Sequence, residues 1–210
     1  MSEYDFESAV SPDTLMAPVP RPPETHTIFR LAQMLLLLDV ARSSGRRVAS
    51  VDRLGYYEFL ADGPFIVIEG DTKRDKDDRL TLEMAGFVPD QLAYASSGHR
   101  FASRRRRIQH DLSRLIAYGL VSLAGDGYEI SERGAEIAGE LRSVYADAYR
   151  VSAGIVLRRL SSMSNTALEM SVRRWLGESW LLIDLLDDIS ETVAPHDFPD
   201  QAQVQRQDPR

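Results

Sequence analysis

A mainly α-helical fold with one small β-hairpin is what this 210-residue sequence predicts. Three observations carry that reading. Apolar residues recur at helical spacing, as in Ile28, Leu31, Leu35 and Leu38 and again in Ile108, Leu112, Leu115 and Ile116. The stretch LVSLAGDGYEIS instead alternates apolar and polar residues around Gly125-Asp126-Gly127, which is hairpin chemistry. With 43% apolar and 27% charged residues, the composition is that of a chain able to build a core.

Residues 1–26 carry Pro12, Pro18, Pro20, Pro22 and Pro23 among five acids and one base, and read as a disordered arm. Structure is expected from Thr27, an N-cap before IFRLAQMLLLLDVARSSG. Phe29, Met34, Leu36 and Leu37 add apolar surface outside the main stripe of this first helix. A helix apolar nearly all round is either central to its own core or buried against a partner. Gly45 supplies its stop. A second helix runs from Ser50, an N-cap, to about Ala61, and Asp62-Gly63-Pro64 ends it. Phe65–Ile68 reads as a short strand leading into EGDTKRDKDD, a solvated loop with a mobile tip. Helical signals follow in RLTLEMAG and in PDQLAYAS, the latter with Pro89 at a helix start.

Ser103 caps the next helix, RRRRIQHDLSRLIAYG, which Gly119 closes. After the hairpin, Ser131 and Glu132 open the helix ERGAEIAGELRSVYADAYRV. Helix, tight turn, hairpin, helix is the order of a winged helix. Arg104–Tyr118 then stands in the recognition-helix position and Gly125–Gly127 at the wing tip. The chain divides on this reading into an arm (1–26), a winged-helix-type core (27–140), a C-terminal helical docking region (141–190) and a disordered tail (191–210). In the docking region Leu157 and Leu160 end one helix, and Ser164 or Asn165 begins another. Trp175, Leu176, Trp180, Ile183 and Leu186 line a third. From Trp175 through Asp200 there are seven acids and no base. An amphipathic, acid-flanked helix with two tryptophans suits docking to a protein, or packing across the first helix.

The net charge of −7 belongs to the tails: residues 1–26 contribute −4 and residues 191–210 contribute −2. The remainder is nearly neutral, and Lys73 and Lys76 are its only lysines. Arg100, Arg104, Arg105, Arg106, Arg107 and Arg114 cluster against a single acid, Asp111. Four consecutive arginines opening a helix oppose its dipole, at a cost of some tenths to about 1 kcal/mol per charge. An anionic partner would offset that cost, and DNA phosphate is the simplest one. Arg100, Arg104, Arg105, Arg107 and Arg114 are the candidate DNA contacts. A salt-bridge network with the Asp75–Asp78 acids, an acidic protein partner and plain solvation are the other readings. Arg42, Arg46 and Arg47 suit the C-terminal dipole of the first helix, and the pairs Arg158-Arg159 and Arg173-Arg174 read as solvated.

Without cysteine there are no disulfides, thiolate metal sites or thiol nucleophiles. The acidic N-terminus is no signal peptide, and Leu31–Leu38 falls far short of the roughly 20 residues that span a bilayer. A soluble cytoplasmic protein without membrane contact is expected. His26, His99, His110 and His196 form no metal-ligand spacing, and Asp71, Asp75, Asp77 and Asp78 fit no EF-hand. Asp187-Asp188 reads as an exposed helix end. There is no P-loop, GxSxG or GxGxxG. Neither a cofactor nor catalytic chemistry is expected.

YGLVSLAGDGYEISERGAEIAGEL is similar to the wing and following helix of many prokaryotic winged-helix proteins. The longer pattern FRLAQMLLLLDVA…SVDRLGYYEFLADGPF…RRRRIQHDLSRLIAYGLV resembles the middle component of bacterial ABC three-component systems, the group that includes Lamassu defence. The resemblance covers residues 28 to about 185. It implies an accessory subunit encoded beside an SMC- or RecN-like coiled-coil ATPase and an effector, often a nuclease, and it transfers no catalytic set. Docking on that ATPase would fall to Leu31, Met34, Leu35 and Leu37 of the first helix and to Trp175, Trp180 and Ile183. Double-stranded DNA held by the complex would meet the arginine cluster. The other readings are a homodimeric winged-helix regulator, with recognition helices spaced by about 34 Å, and a metal-dependent hydrolase built on the aspartate loop.

Overall fold

The computed structural model describes residues 23–89, 97–125 and 127–177. Among them are seven α-helices and one antiparallel hairpin. They are α1 (Thr27–Ser43), α2 (Val51–Asp62), α3 (Lys73–Met84), α4 (Ser97–Ala117), β1 (Val121–Ala124), β2 (Gly127–Ile130), α5 (Glu132–Glu140), α6 (Val144–Leu160) and α7 (Asn165–Leu176).

The centre of the molecule is α1. Its residues Met34 to Leu38 are between 0% and 4% exposed, because α2, α4, α5, α6 and β2 all pack around it. Burying each such side chain contributes about 1.5–3 kcal/mol, so this helix anchors the core. The all-round apolar character is thereby used within the chain. Met34, Leu35 and Leu37 are inside and Leu31 is half-buried against the same core, which corrects their assignment to a partner surface. Residues on both sides of position 140 belong to one buried cluster that extends to Leu176.

Helix ends follow the serine and glycine signals. The hydroxyls of Ser50, Ser131, Ser143 and Ser164 accept bonds from the amides of Arg53, Gly134, Ala146 and Ala167, at 3.2, 3.0, 3.0 and 3.2 Å. Gly45, at φ +64°, ends α1, and the Arg46 amide returns to the Ala41 carbonyl at 2.8 Å. At the other end of α1, Thr27 is already helical and His26 takes the cap position without a side-chain bond.

The hairpin pairs Val121 with Ile130 and Ala124 with Gly127. A further rung comes from Val48, whose amide donates to the Tyr128 carbonyl at 3.4 Å and whose carbonyl accepts from the Tyr128 amide at 2.9 Å. The order α1, Val48 rung, α2, α4, β1, β2 is that of a winged helix. A turn of 3-10 helix (Pro64–Val67) and α3 are inserted between its second and third helices.

Four local expectations are corrected. Phe65–Ile68 makes no strand, because Pro64 opens a tight helical turn that buries Val67 and Ile68. EGDTKRDKDD holds the start of α3, nucleated by a reciprocal capping box between Thr72 and Asp75. The long helix expected after Ser131 is two, α5 and α6, since Ser143 caps a fresh start. The helix expected from Ser103 begins at Ser97. PDQLAYAS, the arm, and everything beyond Gly177 fall wholly or largely outside the described residues.

The α3 acids are structural partners of α6. Asp75 lies 2.8 Å from Arg159, Asp78 lies 2.6 Å from Arg159, and Arg158 also bonds Asp78. These two arginines are therefore ion-paired, against the expectation of solvation. Bonds from Thr72 first, then from Arg159, hold the Asp75 carboxyl down at about 2. An unfolded aspartate titrates near pH 3.9, so the contribution of Asp75 is complete above about pH 4 and is lost as pH falls toward 2. In thermal melts between about pH 2 and pH 5, Thr72→Val is expected to move this loss to higher pH. Coincident profiles for the two proteins would remove the hydroxyl from the account.

Candidate partner and nucleic-acid interface

With α4 starting at Ser97, residues 104–107 lie well inside the helix, and the dipole penalty expected of them disappears. Spacing then decides where each arginine points. Phe101, Arg104, Ile108, Leu112 and Leu115 form the buried stripe of α4. Arg104, 8% exposed, donates from Nη2 to Asp62 Oδ2 at 2.7 Å, and its Nη1 lies 3.7 Å from Glu58 Oε1. Its guanidinium sits 5.7 Å from the Phe59 ring centroid. Arg100 lies 3.8 Å from Asp62 and 4.0 Å from Glu24, and Arg105 lies 3.1 Å from Asp52. Arg107 bonds back to the Ser103 carbonyl and hydroxyl at 3.2 Å. Arg114 is half-exposed, its guanidinium with no hydrogen-bond or ion-pair partner among the described residues.

The expected DNA-facing set is corrected at Arg104. Arg104 is interior and Arg100 and Arg105 are engaged by the chain's own acids, none of them from the Asp75–Asp78 group. Arg114 retains the expected exposure.

Around Arg104 the sequence reading missed a buried polar centre joining four helices. Asp111 takes Arg30 from α1, at 2.6 Å to Nε and 3.1 Å to Nη2. Gln33 donates to the Tyr145 hydroxyl at 2.5 Å. Burial pushes the Glu58 carboxyl up, with Arg104 opposing the shift, and burial likewise raises Tyr145 and Tyr149. Gln33 Oε1, Arg104 Nη1 and Tyr149 Oη are buried without a hydrogen-bond partner among the described residues. Gln33, Glu58, Arg104 and Asp111 all occupy positions where helical spacing demands an apolar residue, and that was the available signal.

The tryptophan element is divided. Trp175 packs half-buried in the last turn of α7, its indole N–H donating to Glu69 Oε1 at 2.7 Å while Arg174 takes Oε2 at 2.7 Å. Arg173 pairs with Glu169. Trp180, Ile183 and Asp187-Asp188 lie outside the described residues.

Two surface features remain. Apolar grooves of 600 and 410 Å³ flank Tyr145 at the start of α6, the first lined by Phe87, Val144 and Ala148, the second by Phe29, Leu36 and Leu141. Val144 is 87% exposed there. At the root of the hairpin, a 420 Å³ cleft is lined by Leu38, Arg42, Arg46, Arg47, Tyr128 and Glu129, among others. Arg47 pairs with Glu129 across it.

No group of three His, Asp or Glu side chains among the described residues could hold a metal ion. Asp75 and Asp78, weighed as ligands, face arginines. No described helix is long and apolar enough to cross a membrane. No protein-family model, no curated protein and no solved structure matches the chain. The class supported on this geometry is a winged-helix protein with an inserted helix and a helical C-terminal extension on the same core.

Proposed function

We propose that the chain is a non-catalytic adaptor subunit of an SMC- or RecN-like ATPase complex in anti-phage or anti-plasmid defence. It links the ATPase heads to an effector nuclease and adds contacts to double-stranded DNA. The observation that carries this reading is the use of α4. The helix in the recognition position commits Arg100, Arg104 and Arg105 to the chain's own acids, an arrangement suited to scaffolding rather than to reading base edges. The resemblance of residues 28 to about 185 to the middle component of three-component systems supports the same reading. With α1 enclosed, protein docking passes to the grooves on either side of Tyr145, where Val144 and Phe87 leave apolar surface uncovered.

Co-expression of the tagged chain with its genomic neighbours is the test, with size-exclusion mass determination of what is recovered. Stoichiometric capture of a coiled-coil ATPase by the wild type, lost in Val144→Asp, is the expected result. A lone homodimer that retains one DNA operator would overturn it in favour of a transcriptional regulator.

A further inference from the structure

The groove on the Phe29 side of Tyr145 holds a feature that its neighbour lacks. Its floor is Gln33, 1% exposed, which lines this groove and not the one beside Val144. The carboxamide is fixed by its Nε2 bond to the Tyr145 hydroxyl, which leaves Oε1 buried without a hydrogen-bond partner among the described residues. Buried acceptors are nearly always satisfied, so one left open at the floor of a groove marks the place of a donor that comes from outside. A purely apolar occupant would leave it open still.

The walls and the rim select the rest of the occupant. Phe29 and Tyr145, with ring centroids 5.1 Å apart, make an aromatic wall, and Leu36 and Leu141 add aliphatic surface. Such a lining receives a flat ring. The volume of 410 Å³ lies low in the range of about 300–1,000 Å³ of small-molecule sites, which suits a single ring system. At the rim, Glu140 and Arg142 are exposed and line the same groove, yet they pair neither with each other nor with any other described residue. A ligand that carries both an ammonium and a carboxylate answers both charges.

We propose that this groove binds a free aromatic amino acid whose ring carries a hydrogen-bond donor. The ring donor meets Gln33 Oε1, the ring lies against Phe29 and Tyr145, and the ammonium and carboxylate meet Glu140 and Arg142. The site does not rest on the adaptor reading, since Val144, whose substitution tests docking, lines the other groove only.

The experiment is calorimetric titration of the purified full chain with L-tryptophan, which is expected to saturate with a Kd below about 1 mM. Its benzothiophene isostere, with sulfur in place of the ring N–H, should bind about tenfold more weakly. Gln33→Leu should erase that difference, and the comparison on the wild type needs no core variant. Tryptamine keeps only the ammonium and indolepropionate only the carboxylate. Glu140→Ala should weaken tryptamine roughly threefold and leave indolepropionate unchanged, and Arg142→Ala should do the reverse. Neither substitution removes an ion pair among the described residues, so the melting temperature without ligand should stay at the wild-type value. The proposal is overturned if L-tryptophan does not saturate below about 1 mM, if the sulfur isostere binds equally well, or if the rim variants fail to separate the two half-ligands. It is also overturned if Val144→Asp abolishes binding while the rim variants leave it intact, which would move the ligand to the other groove. Recovery of the ATPase in the co-expression test succeeds or fails separately from all of these.

Discussion

Arg104→Ala is expected to destabilise the protein by about 3–5 kcal/mol, the usual cost of leaving buried carboxylates unanswered. For a chain of this size, that lowers the melting temperature by roughly 10 °C or more. The cause lies in the surroundings of the side chain: Asp62 at 2.7 Å, Glu58 at 3.7 Å and the face of Phe59. Removing the cation strands the Glu58 carboxyl beneath α4 and leaves Asp62 only Arg100, at 3.8 Å. Glu58→Gln should cost far less, because burial already pushes that carboxyl toward its neutral form. The sign with pH follows from that direction. A raised carboxyl contributes stability fully below its unfolded value, and the contribution is lost as pH rises through the folded value. Glu58→Gln therefore flattens the decline of stability on the alkaline side of about pH 4.3. Combining it with Arg104→Ala should recover part of the loss. A melt of Arg104→Ala within about 2 °C of wild type would mean that the guanidinium does not hold these helices together.

Gly134→Ala is the second large effect, and it is steric. A Cβ at this position would stand 2.1 Å from the Leu120 carbonyl oxygen and 2.7 Å from Ile130 Cγ1. Making room requires α5 to move off the hairpin. That displacement strains the Ser131 amide bond to Leu120 (2.9 Å) and the Ser131 hydroxyl bond to Gly119 (2.8 Å). Overpacking of this kind costs about 1–3 kcal/mol, and against backbone it falls at the upper end. Alanine's better helix propensity returns only about 1 kcal/mol. Gly139 supplies the control within the same helix. Nothing lies within 4 Å of a Cβ there, so Gly139→Ala should stabilise by roughly 0.5–1 kcal/mol. Urea titrations of the two variants should shift in opposite directions. Equal shifts would show that α5 slides freely over the hairpin.

What was legible in the sequence followed local chemistry. Ser50, Ser131 and Ser164 mark helix starts, Gly45 and Gly119 mark stops, and alternation around Gly125-Asp126-Gly127 marks the hairpin, although its register, with Gly127 already paired to Ala124, comes from the structure. The misreadings arose where charge was taken as a sign of solvent. EGDTKRDKDD reads as a loop until Arg158 and Arg159, 80 residues away, supply partners for its acids. Arg104 reads as one of four equivalent arginines until the stripe through Phe101 and Ile108 is completed around it. The buried centre leaves one periodic trace, polar residues at apolar positions of the helices, but which of them pair is settled only once α1, α2, α4 and α6 are assembled. The apolar excess of α1 was seen correctly, but sequence alone could not say whether its cover lay within the chain. The cleft at the wing root was hidden for a related reason. Arg42 and Arg46 suit a helix C-terminus by position, and only the geometry shows their side chains without a hydrogen-bond or ion-pair partner among the described residues.

The enclosure of α1 has a consequence in time. This helix and α6 lie side by side with their N-terminal ends together, Phe29 packing on Tyr145 at 5.1 Å and Val40 facing Gly154. The two are separated by nearly half of the chain. At about 5–20 residues per second, a ribosome reaches α6 roughly 5–20 seconds after completing α1. Throughout that interval Leu35 to Leu38 lack their final cover, on the most apolar segment of the chain. The order in which the helices leave the ribosome is thus the reverse of what their packing would favour. The growing chain exposes this apolar segment at a stage when the finished protein does not.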